Sequence, residues 1–315
     1  MSNWSIAIHG GAGTIKKGIS EAKKQKYVNA LDDAVKCGIA ILKNGGSAAD
    51  AVTASVVSME DNLLLNAGKG AVYNSNEEHE LDASFMCGKS LQSACFGGVT
   101  DVKNPILLAK YIAYNSKHIA FSGEAASKIA HDNGFEIVGQ DYFHTEHRYK
   151  AFLEAKKKGE VALDHSSEEI YTANKYPQGT VGAVALDVNG NLASATSTGG
   201  MTLKQAGRVG DTGFIGAGTY ANNISCAVSC TGKGEAFITN QTAFAIHFYM
   251  TECLFSLEEA SNRVIFSKMK KDDGGVIAVD KDGNISMPYN SAGMFRASAS
   301  NKQDTFIGIW EEKEK

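Results

Sequence analysis

The run from Gln178 to Asp187, Gln-Gly-Thr-Val-Gly-Ala-Val-Ala-Leu-Asp, restricts this chain more than any other stretch. From Thr180 onward, small and apolar residues follow one another in the manner of a buried strand. The preceding residues, from about Gly159 to Gln178, are polar, charged and without periodicity. Such a length of unpatterned chain inside a compact protein is usually functional or disordered, and it reads as a linker. A linker that turns into a core strand at Gly179-Thr180 puts a threonine where a chain break would be useful. Cutting the Gly179–Thr180 bond would make Thr180 a new N-terminus, with a hydroxyl nucleophile and a free amine to activate it on one residue.

The rest of the chain offers a scaffold for such a strand. Ser5–His9 reads as a buried strand that stops at Gly10-Gly11-Ala12-Gly13. A helix is expected from about Ser20 to Lys43, with Tyr27, Leu31, Ala34, Val35, Ile39 and Leu42 on one face. Gly45-Gly46 ends it, and Ser47 is suited to cap a second helix, Ala49–Met59. A Gly-rich loop (Asn66–Gly70) and strands at Ala71–Tyr73, Glu80–Met86 and Ala94–Val99 follow. Helices are expected near Pro105–Asn115, Gly123–Asn133 and Thr145–Lys158.

Beyond Thr180 the texture is β. Val181–Asp187 and Asn191–Thr196 read as a hairpin about Asn189-Gly190. Val276–Asp280 and Asn284–Met287 read as a second hairpin, and the two suggest equivalent strand pairs in one layered sheet. Strands are expected at Ser225–Ser229 and Glu235–Thr239, with helices at Gln241–Cys253 and Leu257–Lys270. This order favours an α+β fold, with helices sandwiching antiparallel sheets, over a Rossmann alternation.

At 315 residues the length alone suggests roughly two domains of ~150 residues, although layered folds often run this long as one unit. A net charge of −4 gives no general footprint for nucleic acid, and Lys156–Lys158 reads as a solvated helix end. No run approaches the ~18 apolar residues of a membrane span. The start, Met1-Ser2-Asn3-Trp4, enters a strand without a secretory leader pattern, and the six cysteines contain no C-x-x-C pair. Reduced, mostly buried thiols and a cytoplasmic location are the expectation.

A hydroxyl needs a base at neutral pH, and an α-amine with an ordinary pKa near ~7.7–8.0 is substantially neutral there. Gly179 suits self-cleavage because a residue without Cβ tolerates a strained backbone. Alone, Gly-Thr-Val-Gly is a weak signal and fits the start of an ordinary strand better. Its surroundings add chemistry. Ser197-Thr198-Gly199-Gly200 returns a second hydroxyl along the partner strand. Arg208 and Asp211 could clamp the carboxylate and ammonium of an α-amino acid, and taken alone also fit a surface ion pair. Cys230–Glu235 offers loop amides and a hydroxyl for an oxyanion hole.

The runs His9-Gly10-Gly11-Ala12-Gly13, Asn66–Val72, Gly179–Asp187, Ser197–Met201, Gly207–Asp211, Gly216–Ala221 and Thr231–Glu235 occur in this order over nearly the whole chain. Together they resemble the plant-type asparaginase/isoaspartyl peptidase family of N-terminal-nucleophile hydrolases. The resemblance implies a four-layer αββα sandwich and one domain over residues 1–315. That domain would be cut into an α subunit, 1–179 with a linker at 159–179, and a β subunit, 180–315. It implies Thr180 as nucleophile, Thr198 as its assistant, and Thr231 and Gly232 as the oxyanion hole. Arg208, Asp211, Gly232 and Gly234 would bind substrate, and Gly11 and Asn66 would support the nucleophile. The implied substrates are asparagine and β-aspartyl dipeptides, and the implied assembly is a dimer of cleaved αβ units.

No cofactor is implied beyond a structural sodium ion on the backbone of Met59, Glu60, Asn62, Leu65, Ala67 and Lys69. Three departures stand out: no proline precedes the apolar residues of the Glu60–Leu65 loop, Gln178 replaces a frequent histidine, and Asn240 stands where a basic residue is common. Rival readings are weaker. Gly11-x-Gly13 lacks the third glycine of a dinucleotide loop, since position 16 is lysine, and no G-x-S-x-G elbow exists for a serine hydrolase. Glycosylasparaginases carry aspartate before the nucleophilic threonine, a threonine aspartase would be longer, and an uncleaved inactive scaffold would remain one 33.4 kDa chain.

Overall fold

A computed structural model describes residues 3–13, 15, 17–158 and 179–310. The linker reading for 159–178, and with it Gln178, lies outside the described residues. The chain begins with β1 (Ser5–Gly13), α1 (Glu21–Lys43), α2 (Ala48–Glu60), β2 (Leu81–Cys87) and β3 (Ser93–Val99). It continues through α3 (Pro105–Asn115), β4 (Ala120–Ser122), α4 (Gly123–Asp132) and α5 (Glu146–Lys158). After Gly179 come β5 (Val181–Leu186), β6 (Leu192–Thr198), β7 (Thr219–Ala221), β8 (Cys226–Gly232), α6 (Gly234–Asn240), α7 (Thr242–Glu252) and α8 (Leu257–Asn262). A π-helical stretch, Arg263–Lys268, leads to β9 (Gly274–Asp280), β10 (Ile285–Ser286), β11 (Gly293–Ser300) and β12 (Phe306–Gly308).

The fold is α+β. An eight-stranded sheet runs β12-β11-β1-β5-β6-β2-β3-β4, and a four-stranded sheet runs β10-β9-β8-β7. All pairings are antiparallel except β3 with β4. Helices α1, α2 and α3 pack on one face of the large sheet, and the small sheet packs on the other through β5, β6 and β1 against β8 and β9. Helices α7 and α8 cover the far face of the small sheet.

Strand alternation decides which residues enter which layer. In β5, Val181, Ala183 and Ala185 join the core under the helices, whereas Val184 and Leu186 point between the sheets. In β8, Val228 and Cys230 pack on the outer helices, whereas Ala227 points between the sheets. Position 180 shares the inward register of 184, and positions 229 and 231 share that of 227. The space between the sheets is apolar at one end and lined with hydroxyls at the other.

The helix caps follow the sequence. The Ser20 and Ser47 side chains each accept an N–H from the first turn of the helix they precede. Four expectations fail, each for a local reason. β1 continues to Gly13 rather than stopping at Gly10, because a bulge between His9 and Gly11, with Gly11 at φ 115°, lets pairing with β11 resume. Ala71–Tyr73 is no strand, since the Val72 N–H goes to the Asn66 side chain instead of a neighbouring strand. Glu235–Thr239 lies in helix α6, where Phe237 alone of those residues is fully buried, and Gln241 at φ 46° ends it. The two hairpins belong to facing sheets, not one. Of the cysteines, none is in a disulfide, and only Cys95, Cys226 and Cys230 are buried.

Candidate active site

Thr180 immediately precedes β5 at the hydroxyl-lined end of the space between the sheets, and it is buried. Its Oγ1 donates to Thr198 Oγ1 at 3.2 Å. Thr198, at the end of the paired strand β6, accepts a further N–H from Gly200 at 3.0 Å and donates its own proton to the Gly179 carbonyl oxygen at 3.2 Å. One hydroxyl therefore contacts both the oxygen that would attack and the oxygen on which charge would develop. Asn66 fixes the turn that carries Thr198 onward. Its Nδ2 donates to Gly200 O at 2.7 Å, its carbonyl accepts Gly199 N–H at 3.1 Å, and its Cβ packs beside Gly179.

The other end of Thr180 is held by a residue that sequence reasoning passes over. Thr180 O lies 2.9 Å from His9 Nδ1. A carbonyl only accepts, so Nδ1 carries the proton. Burial drives the His9 pKa down to about 3, outweighing the Thr180 hydrogen bond, so the ring is neutral and Nε2 is an acceptor. It takes the Ser229 hydroxyl proton at 2.9 Å. Ser229 Oγ then accepts from Thr196 at 2.8 Å, Thr196 from Thr219, and Thr219 from Ser84 at 2.7 Å. Both ends fix the direction of this chain. It crosses between the sheets and needs a glycine beside it: a Cβ at Gly182 would stand 2.0 Å from Ser229 Oγ and 2.5 Å from His9 Nε2.

Thr231 lies two residues beyond Ser229, hence on the same face of β8. Its Oγ1 accepts the Ala12 N–H at 3.1 Å, and among the described residues its own hydroxyl proton has no acceptor. Gly232 closes β8 opposite Gly274, and a Cβ there would strike Asp273 O.

Arg208 and Asp211 make no direct ion pair with each other. Arg208 Nε donates to Glu235 Oε1 at 2.9 Å, and Nη2 lies 2.8 Å from the same oxygen but off the N–H direction. Nη2 is buried without an acceptor, as is Asp211 Oδ2 without a donor. Burial raises the Asp211 carboxyl to about 7 against the lowering field of Arg208, with Glu235 and Asp82 adding to the rise. Gly234 faces both groups: a Cβ there would meet Arg208 Nη2 at 2.8 Å and Asp211 Oδ1 at 3.1 Å. A donor and an acceptor, each buried and unmatched, thus flank a position kept open by glycine. Asp82 ties this loop to the threonines. It stands opposite Thr198 in the sheet, and its Oδ2 accepts the Gly210 N–H at 3.3 Å.

In the Met59–Lys69 loop the backbone turns inward. A Cβ on Gly70 would meet the carbonyl oxygens of Leu65 at 2.0 Å and Asn62 at 2.8 Å, and one on Gly68 would meet Glu60 O at 2.6 Å. The carbonyls of Met59, Asn62 and Ala67 also accept N–H groups within the loop, and Lys69 lies in the short turn Gly68–Gly70. Among the described residues no cluster of His, Cys, Asp or Glu is arranged to hold a metal ion. The Glu60 side chain is buried, pushed up to about 8 by that burial, and accepts from Ser197 Oγ at 2.7 Å and Ile106 N at 3.0 Å.

The chain is similar to known proteins over nearly its whole length. Residues 2–309 match the family described as asparaginase. The chain is 45% identical to an isoaspartyl peptidase of Escherichia coli, over 99% of this chain and 98% of that protein. It is 37% identical to an isoaspartyl peptidase/L-asparaginase of Danio rerio (93% and 91% covered) and 38% identical to one of Mus musculus (94% and 88%).

Proposed function

The chain belongs to the asparaginase family, and on that premise we propose that it is an amidohydrolase that activates itself by cutting its own Gly179–Thr180 bond. Its substrates are L-asparagine, yielding L-aspartate and ammonia, and β-aspartyl (isoaspartyl) dipeptides. The observation that carries this reading is the bridge from Thr180 Oγ1 through Thr198 Oγ1 to Gly179 O.

In the cleavage step Thr180 Oγ attacks the Gly179 carbonyl carbon, and Thr198 donates to the oxygen that becomes negative. The C–N bond breaks, leaving an ester and a free Thr180 amine. Water hydrolyses the ester. The amine is then the base for turnover. Arg208 holds the substrate α-carboxylate, Asp211 the α-ammonium, and Gly234 leaves room for both; their unmatched donor and acceptor support this role. Thr180 attacks the β-carbonyl, the Thr231 hydroxyl and Gly232 stabilise the oxyanion, and ammonia or an amino acid leaves. Water releases aspartate from the β-aspartyl ester.

The order of layers supports the four-layer αββα sandwich of N-terminal-nucleophile hydrolases. Exposed Phe244 and Phe248, four apart on α7, support a dimer of cleaved αβ units. The unpaired cysteines suit a cytoplasmic enzyme, and no described helix is long and apolar enough to cross a membrane. A sodium ion would be held by backbone oxygens of Met59, Glu60, Asn62, Leu65, Ala67 and Lys69 and would stiffen the loop leading to Asn66. Gly11 and Asn66 keep the nucleophile's surroundings in place.

Denaturing mass spectrometry of the purified protein tests the reading. The native sequence yields two fragments meeting at Gly179/Thr180, while Thr180→Ala remains one chain without turnover. A Thr180→Ala protein that releases ammonia from asparagine at the native rate would refute it.

A further inference from the structure

Arg148, in the first turn of α5, is a buried cation without an anion among the described residues. Its Nε donates to Gly70 O at 2.8 Å and its Nη2 to Leu64 O at 3.2 Å, which occupies two of the guanidinium's N–H donors. Among the described residues no carboxylate pairs with it. Burial drives its pKa down, with Tyr27 opposing that trend. Backbone carbonyls position such a group, but they do not neutralise it, and an unpaired buried charge is strongly unfavourable.

The guanidinium borders a cavity of about 20 Å³ whose wall also includes Gly10, Gly11, Tyr27, Asn66 and Gly179. That is room for about one water-sized atom. The Tyr27 hydroxyl has no hydrogen-bond partner among the described residues, and its ring is stacked on Phe295 at 4.3 Å. A positive charge, a phenol and a water-sized space therefore meet at the residue whose carbonyl is attacked.

Ester hydrolysis changes that residue in a defined way. The bond between the Gly179 carbonyl carbon and Thr180 Oγ breaks, and the oxygen of water joins the carbon. One proton of that water returns to Thr180 Oγ and the other goes to solvent. Gly179 gains one oxygen and one negative charge. We infer that this cavity is a receptor for the new C-terminal carboxylate of Gly179, with Arg148 as its counter-charge and Tyr27 as a further donor. The inference rests on the cleavage reading above. By its terms the cut α chain is anchored at its new end, and the product of self-cleavage relieves the buried cation.

Digestion of the mature enzyme with a nonspecific carboxypeptidase, followed by denaturing mass spectrometry of the α fragment, tests it. The native α fragment keeps Gly179 under conditions that strip it from urea-denatured protein. Arg148→Gln loses Gly179 faster by about tenfold or more, the minimum expected for a hydrogen-bonded charge pair. Arg148→Lys, with the charge but not the fork, falls between. Stripping of native enzyme as fast as denatured protein overturns the inference, and this comparison holds even if Arg148→Gln does not fold. Equal rates in native enzyme and folded Arg148→Gln also overturn it. Acetate at constant ionic strength leaves the Tm of the mature enzyme unchanged. An Arg148-dependent rise would mean that the cavity takes free carboxylates while Gly179 lies elsewhere. A native chain that is still whole before protease is added fails the cleavage reading instead, and the starting mass reports that separately.

Discussion

Replacing His9 by asparagine separates a titrating anchor of the nucleophile strand from one that does not titrate. In the folded protein the buried ring holds a proton only below about pH 3, whereas its ordinary value is 6.5. Between those values the unfolded chain binds a proton that the native state does not. Stability therefore rises with pH through this window, and it is lost as pH falls from 6.5 towards 3. The slope for one such group is about 1.4 kcal/mol per pH unit, so that about 2 kcal/mol disappears between about pH 6.5 and 5. Below about pH 3 both states are protonated, and the contribution no longer changes. His79, lowered to about 4 mainly by burial, acts in the same direction, but it is present in both proteins and cancels in the difference. The assay is urea unfolding of native and His9→Asn proteins at about pH 7, 6 and 5. Asparagine lowers stability at pH 7 by about 1–3 kcal/mol, since Ser229 loses its acceptor. The decisive quantity is the slope: the native protein loses stability on acidification more steeply than the variant. Parallel curves would mean that His9 is not a buried neutral ring, and the tautomer argument for its grip on Thr180 would fall with it.

Three further outcomes follow from the geometry. Thr198→Val keeps the shape but removes the donor to Gly179 O, and it slows self-cleavage by about 10²–10³-fold, as for loss of an oxyanion donor; fragment appearance on a denaturing gel at the native rate would contradict the bridge. Because Asp211 titrates near 7 and must be ionised to hold an ammonium group, kcat/KM for asparagine falls as pH drops below about 7 and approaches a tenfold loss per unit. Asp211→Asn removes that contribution and leaves only the limb of the Thr180 amine, and native and variant profiles of equal slope between about pH 8 and 6 would exclude Asp211 from the clamp. Gly182→Ala drives a methyl into Ser229 and His9, and it lowers stability by about 1–3 kcal/mol in thermal unfolding; an unchanged midpoint would show that the two sheets do not approach so closely there.

What could be read from the sequence divides along the range of the interactions involved. The hairpin of β5 and β6 is legible because alternation and an Asn-Gly turn are local signals, and the helix cap at Ser47 is legible for the same reason. α6 is not, because Ile238 and Thr239 favour extended chain by local preference, whereas the burial of Phe237 under the small sheet favours a helix. Arg148 is hidden more deeply. Its hydrogen-bond partners are backbone carbonyls of Leu64 and Gly70, and a carbonyl leaves no trace in a sequence. Asp82 has the same difficulty, since only strand pairing reveals that it stands opposite Thr198. The adjacent residues Ser197 and Thr198 show why identity alone does not assign a role. Both carry hydroxyls and sit in one motif. Strand alternation sends Ser197 to the helix side, where it donates to Glu60, and sends Thr198 between the sheets, where it donates to Gly179. Moving the strand by a single residue would exchange those partners, so the register of β6 against β2 and β5 decides which of the two hydroxyls can assist Thr180.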